Sequence, residues 1–75
     1  MNIELSGHAR QRMEMRQVSE SDILQVLQNF AQTTKPNSDG SGTVITATIS
    51  SGKKLSVVVA GIRPFSEPIV VITVY

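Results

Sequence analysis

The 75-residue sequence predicts an α+β fold in which two N-terminal helices pack on an antiparallel sheet of three to four strands. Three observations predict it. Apolar residues recur at helical spacing behind serine caps in the N-terminal part of the chain. Runs rich in β-branched residues follow, separated by Gly, Ser and Pro turns. No linker, internal repeat or low-complexity segment interrupts the chain, so residues 1–75 read as one domain.

Ser6 is the N-cap candidate for a first helix over Gly7 to Met15. Ser19, with Asp22 three residues later, forms a capping-box signature, and Ile23, Leu24, Val26, Leu27 and Phe30 follow at helical spacing. A short strand is expected around Gln32 to Pro36, and Asn37 to Gly42 has the composition of a hairpin loop. Thr43 to Ile49 and Lys54 to Ala60 read as a β-hairpin closed by Ser50-Ser51-Gly52-Lys53. Two prolines between Gly61 and Pro68 interrupt pairing before a last strand, Ile69 to Tyr75. Alternation assigns Val70, Ile72 and Val74 to the core face of that strand, and Ile69, Val71, Thr73 and Tyr75 to the other. Phe30 and Phe65 read as core or edge anchors. The long apolar C-terminal strand reads as an exposed edge, through which a homodimer is expected.

Seven Lys and Arg against six Asp and Glu give a net charge of +1, too small for a general pull toward nucleic acid or anionic membrane. The absence of cysteine excludes a thiol nucleophile, a disulfide and a thiolate zinc site. One histidine and few carboxylates argue against a dedicated metal site, and no cofactor is expected. No apolar run approaches the roughly 20 residues of a membrane span, and no signal-peptide pattern is present; a soluble, cytoplasmic protein without membrane partners is the expectation.

His8, Arg12 and Arg16 recur every four residues and form one stripe on the first helix. Leu5, Ala9, Met13 and Met15 cluster around that stripe, so partial burial of all three cationic side chains is expected. Two readings follow. In one, the arginine stems pass the edge of the core to water and His8 is a satisfied helix-entry histidine. In the other, the stripe is an anion site, with phosphate the most suitable anion for arginine and His8 placed to move a proton. Lys53 and Lys54 read first as a solvated hairpin turn, while Arg63, beside Pro64, is either a functional cation or an incidental loop residue.

The string Ser6-Gly7-His8-Ala9-Arg10-Gln11-Arg12-Met13, then Arg16, Val18-Ser19-Glu20-Ser21-Asp22-Ile23 and the ending Val71-Ile72-Thr73-Val74-Tyr75, resembles a widespread bacterial family of small uncharacterised domains. Those domains open with a His-Ala-x-x-Arg-Met helix, and the likeness covers essentially the whole chain. The family looks like a branch of the RelE/ParE-like toxin superfamily, close to the BrnT type, whose members are compact α+β proteins and often metal-independent ribonucleases restrained by an antitoxin. Gln17-Val18 stands where a Gly and an Ile are common in the family, leaving the turn between the helices without its usual glycine.

The resemblance implies RNA as substrate and an antitoxin or immunity protein as partner. Metal-free RNA cleavage needs a base for the 2′-hydroxyl proton, cations for the charge on phosphorus and an acid for the departing 5′-oxygen. The expected catalytic set is His8 for proton transfer, Arg12 and Arg16 for the phosphate and Tyr75 as acid, with Lys54 and Arg63 binding substrate. The alternative is a non-catalytic interaction module or decayed toxin that binds an acidic partner through the arginine stripe. A regulator that reads phosphates without cleaving them is a third reading, weakened by the small net charge.

Overall fold

The structure, a computed structural model, describes residues 2–37, 42–61 and 67–75. It is α+β, with elements in the order β1 (Ile3–Leu5), α1 (Gly7–Arg16), α2 (Glu20–Leu27), β2 (Thr33–Pro36), β3 (Gly42–Thr48), β4 (Lys54–Ala60) and β5 (Ile69–Val74). The strands form one five-stranded sheet ordered β1-β5-β4-β3-β2. Four strands run as expected. The fifth, β1, pairs in parallel with β5, Ile3 opposite Ile69 and Leu5 opposite Val71, so the sheet is mixed rather than antiparallel.

That parallel strand corrects a second expectation. The C-terminal strand is no edge over its first half, because β1 and β4 flank it there. Beyond Val71 its outer side meets α1 instead. The Ser6 hydroxyl donates to the Ile72 carbonyl at 2.8 Å, and Arg12 Nε approaches the Val74 carbonyl at 3.5 Å. Backbone groups that a longer β1 would have paired are met by side chains of the helix that follows it.

Both helices cover one face of the sheet, α1 along β5 and α2 across β3 and β4. Ala9 from α1 and Ile23 and Val26 from α2 are fully buried against Ile45, Leu55, Val57, Val59, Val71 and Val74. Burying each such branched side chain contributes about 1.5–3 kcal/mol. Ile69 and Val71 are therefore core, contrary to the expected alternation. A register shift between Val58 and Val59, which pair with Thr73 and Val71, leaves Ile72 as an extra residue and reverses parity before Val74.

The helix caps follow their sequence signals. Ser6 accepts from the Ala9 N–H at 3.0 Å, and the Ser19–Asp22 box is closed in both directions at 3.0 and 3.1 Å. Phe30 is fully exposed and Met15 largely so, correcting their placement in or beside the core. The chain turns away from α2 at Asn29 before the helical period would return Phe30 to the sheet, and Met15 lies about 140° around α1 from the middle of the Ala9–Met13 contact face, on the solvent side. Phe65 and Arg63 lie outside the described residues.

Gln17 ends α1 in the left-handed region, φ 54° and ψ 48°, with its N–H on the Glu14 carbonyl. A side chain there crowds its own carbonyl by roughly 1–2 kcal/mol, which glycine avoids at some cost in unfolded-state entropy. Gln17→Gly is expected to raise stability by about 0.5–1 kcal/mol in urea unfolding. An unchanged or lowered midpoint would show that the Gln17 side chain supplies contacts that offset the strain.

Candidate functional site

Helix α1 sets the candidate site. Ala9 is its buried centre and Met13 packs against the core, so the helix can lie on β5 in essentially one rotation. That rotation leaves His8 and Arg16 exposed and Arg12 half-buried. Partial burial, expected for all three, holds for Arg12 alone, because the stripe borders the contact face and only its middle member passes over the sheet edge.

The Arg12 stem lies on that edge with Nε near the Val74 carbonyl, which anchors the guanidinium at the outer side of β5. Arg16 lies one turn beyond. Lys53 Nζ donates to the Arg16 carbonyl at 3.4 Å, placing an ammonium at the C-terminal, negative end of α1. Lys53 is exposed in its hairpin turn as expected, and the contact with α1 is an addition to that placement. Residues 37 positions apart meet here only because the β3–β4 hairpin ends beside the last turn of α1. Neighbouring cations thus include Arg12, Arg16 and Lys53, and among the described residues no ion pair joins any of them to a carboxylate.

Tyr75 does not join this row. Its N–H and carbonyl pair with Ser56 at 2.9 and 2.8 Å, so the two side chains share a face. The Ser56 hydroxyl in turn contacts the Thr46 hydroxyl at 2.8 Å, while Val57 and Leu55, its chain neighbours, are buried beneath the helices. Tyr75 therefore projects from the face opposite α1, although its backbone directly follows the carbonyl that Arg12 approaches. Lys54 shares that opposite face and helps line a recess of about 380 Å³ with Thr33, Lys35, Val44 and Thr46.

The predicted residues that the structure describes divide into two groups. His8, Arg12 and Arg16 lie along α1, while Tyr75 and Lys54 lie on the second face of the sheet. The expected alternation, with Val74 on the core face and Tyr75 on the other, holds for this last pair and already separates Tyr75 from the α1 row. Among the described residues, no helix is long and apolar enough to cross a membrane, and no group of three His, Asp or Glu side chains has metal-binding proximity.

Residues 5–75 match the family described as Domain of unknown function (DUF4258). No curated protein matches the chain, and no solved structure does.

Proposed function

The chain belongs to the DUF4258 family, and we propose that it is a toxin-like, metal-independent ribonuclease of the RelE/BrnT kind, acting on RNA in the cytoplasm and restrained by an antitoxin. One observation carries this reading: the His8, Arg12 and Arg16 row faces water beside the end of β5 with no carboxylate paired to it among the described residues. Unpaired arginines on a nearly neutral protein suit an anionic ligand, and their planar donors suit phosphate.

In this mechanism Arg12 and Arg16 bind the scissile phosphodiester and stabilise the charge that develops on phosphorus. His8, one turn earlier on the same stripe, takes the 2′-hydroxyl proton as that oxygen attacks phosphorus and the P–O5′ bond breaks. The departing 5′-oxygen must also gain a proton, and solvent reaches this side of α1. Tyr75 is poorly placed for that role, because it projects from the other face of the sheet.

A specific observation favours the non-catalytic alternative. Arg12 is partly committed to the Val74 carbonyl, and His8 and Arg16 stand on an open helix surface, a geometry that serves binding more readily than water exclusion. Incubation of the purified protein with a mixed-sequence RNA in EDTA separates the two. The ribonuclease reading expects fragments ending in 2′,3′-cyclic phosphate. Intact RNA, together with salt-sensitive binding of an acidic peptide, would replace it with the interaction module.

A further inference from the structure

The second face of the sheet carries an arrangement that the α1 site does not use. Cross-strand pairing sets Tyr75 opposite Ser56, Ser56 opposite Thr46 and Thr46 opposite Thr33, one row running across four strands. Three interstrand steps of about 4.8 Å make this row about 14 Å long. At one end stands an exposed phenol ring; the other three positions carry hydroxyls, the middle two of them bonded to each other at 2.8 Å. Lys54 lies two residues before Ser56 on the same face, diagonal to Tyr75 and within reach of a long side chain. Lys35 stands on β2 at the other side of the recess of about 380 Å³. No carboxylate lines that recess, and among the described residues neither lysine has an ion-pair or hydrogen-bond partner.

We propose that this face is a nucleotide platform, on which Tyr75 stacks a base, Lys54 and Lys35 meet phosphate, and the Ser56, Thr46 and Thr33 hydroxyls contact the sugar or base edges. An aromatic ring supplies a sequence-tolerant surface that a bare anion site lacks, and ammonium groups beside it supply charge complementarity to the phosphate. The row is longer than one phosphate group and matches a nucleotide or a short single strand lying across the strands. The assignment is independent of catalysis at α1, because its residues lie on the opposite face.

Tyr75 is the sole tyrosine of the chain, so its ring resonances report on this face without ambiguity. The whole protein is titrated with pentauridylate, with uridine monophosphate and with inorganic phosphate, following the Tyr75 ring by NMR and affinity by the anisotropy of a labelled pentamer. Saturable Tyr75 shifts with the pentamer are expected, with binding weakened at least about tenfold by Tyr75→Ala. Lys35→Gln with Lys54→Gln should reduce the log–log salt slope by about 1.4, two single-strand phosphate contacts. Shifts from the monophosphate as well identify a site for one free nucleotide, whereas shifts from the pentamer alone identify a strand.

Equal shifts from inorganic phosphate would overturn the platform, as would pentamer binding indifferent to both the Tyr75 and the lysine variants. Both lysines and Tyr75 are exposed, and matching melting curves will show that each variant folds. Arg12→Ala and Arg16→Ala should leave the Tyr75 shifts in place, so failure of the ribonuclease reading and failure of this one give different results. Loss of those shifts in the arginine variants alone would assign binding to α1 and overturn the proposal.

Discussion

His8→Ala is expected to slow RNA cleavage by about 10²–10⁴-fold, the usual loss on removing a proton-transfer group, while leaving the melting temperature within a degree or two of the parent. The second half of that expectation rests on exposure. His8 faces solvent on the first turn of α1, and no described hydrogen bond holds it. Arg12→Ala should slow cleavage by about 10²–10³-fold and also cost up to about 1 kcal/mol of stability, because its Nε contact with the Val74 carbonyl is lost. Arg12→Lys retains the charge without the planar fork and should recover only part of the rate. Single-turnover cleavage of a short RNA, with thermal melts of each variant, tests all three. Full activity in His8→Ala would remove the imidazole from the mechanism. Unfolding of His8→Ala would show that this residue serves helix α1 rather than chemistry.

Gly42→Ala is expected to destabilise the fold strongly, since among the described glycines it is the one where an added methyl group meets backbone. Gly42 opens β3 opposite Ala60, and a Cβ there would collide with the Val59 carbonyl oxygen. The obstacle is backbone, so it cannot rotate away as a side chain would; the β3–β4 ladder itself must shift. Overpacking of this kind costs about 3 kcal/mol, against a total stability of about 4–11 kcal/mol for a chain of this length. The midpoint of thermal unfolding should fall by more than about 10 °C. Gly7→Ala is the control, since nothing lies within 4 Å of a Cβ placed there and the position is helical. Equal midpoints for the two variants would mean that β3 and β4 do not approach each other as described.

The sheet order gives these effects a common cause. Helix α1 is held at one rotation by Ala9, at its start by Ser6 bonded to the Ile72 carbonyl, and at its end by Lys53 beneath the Arg16 carbonyl. Each attachment joins the N-terminal part of the chain to β5 or the hairpin. A cation row built on a helix restrained at three points needs little further ordering when it meets a phosphate. Tyr75, although its backbone touches the same strand end, belongs to the other face and to a separate ligand contact.

Elements whose cause is local were legible from residues alone. The Ser6 cap and the Ser19–Asp22 box act within three residues, and the structure has both. The β3–β4 hairpin follows from β-branched runs flanking a turn, and β2 from the short polar stretch before it. The four-residue spacing of His8, Arg12 and Arg16 likewise places them on one helix stripe without reference to any other part of the chain. Long-range pairing was not legible. Three residues, Ile3–Leu5, are too few to show a period, and their partner lies more than sixty positions away. Their parallel pairing makes the sheet mixed and takes β5 from the edge. One extra residue in β5 then exchanges the faces of the residues before it, bringing Ile69 and Val71 into the core, while Val74 and Tyr75 keep the faces that alternation predicts. A side-chain period of two carries no record of such an insertion, because parity is settled by which neighbouring strand pairs with which residue. Composition and caps thus dictate the helices, the hairpin and the cation stripe, whereas strand pairing determines which of the candidate residues can act on the same ligand.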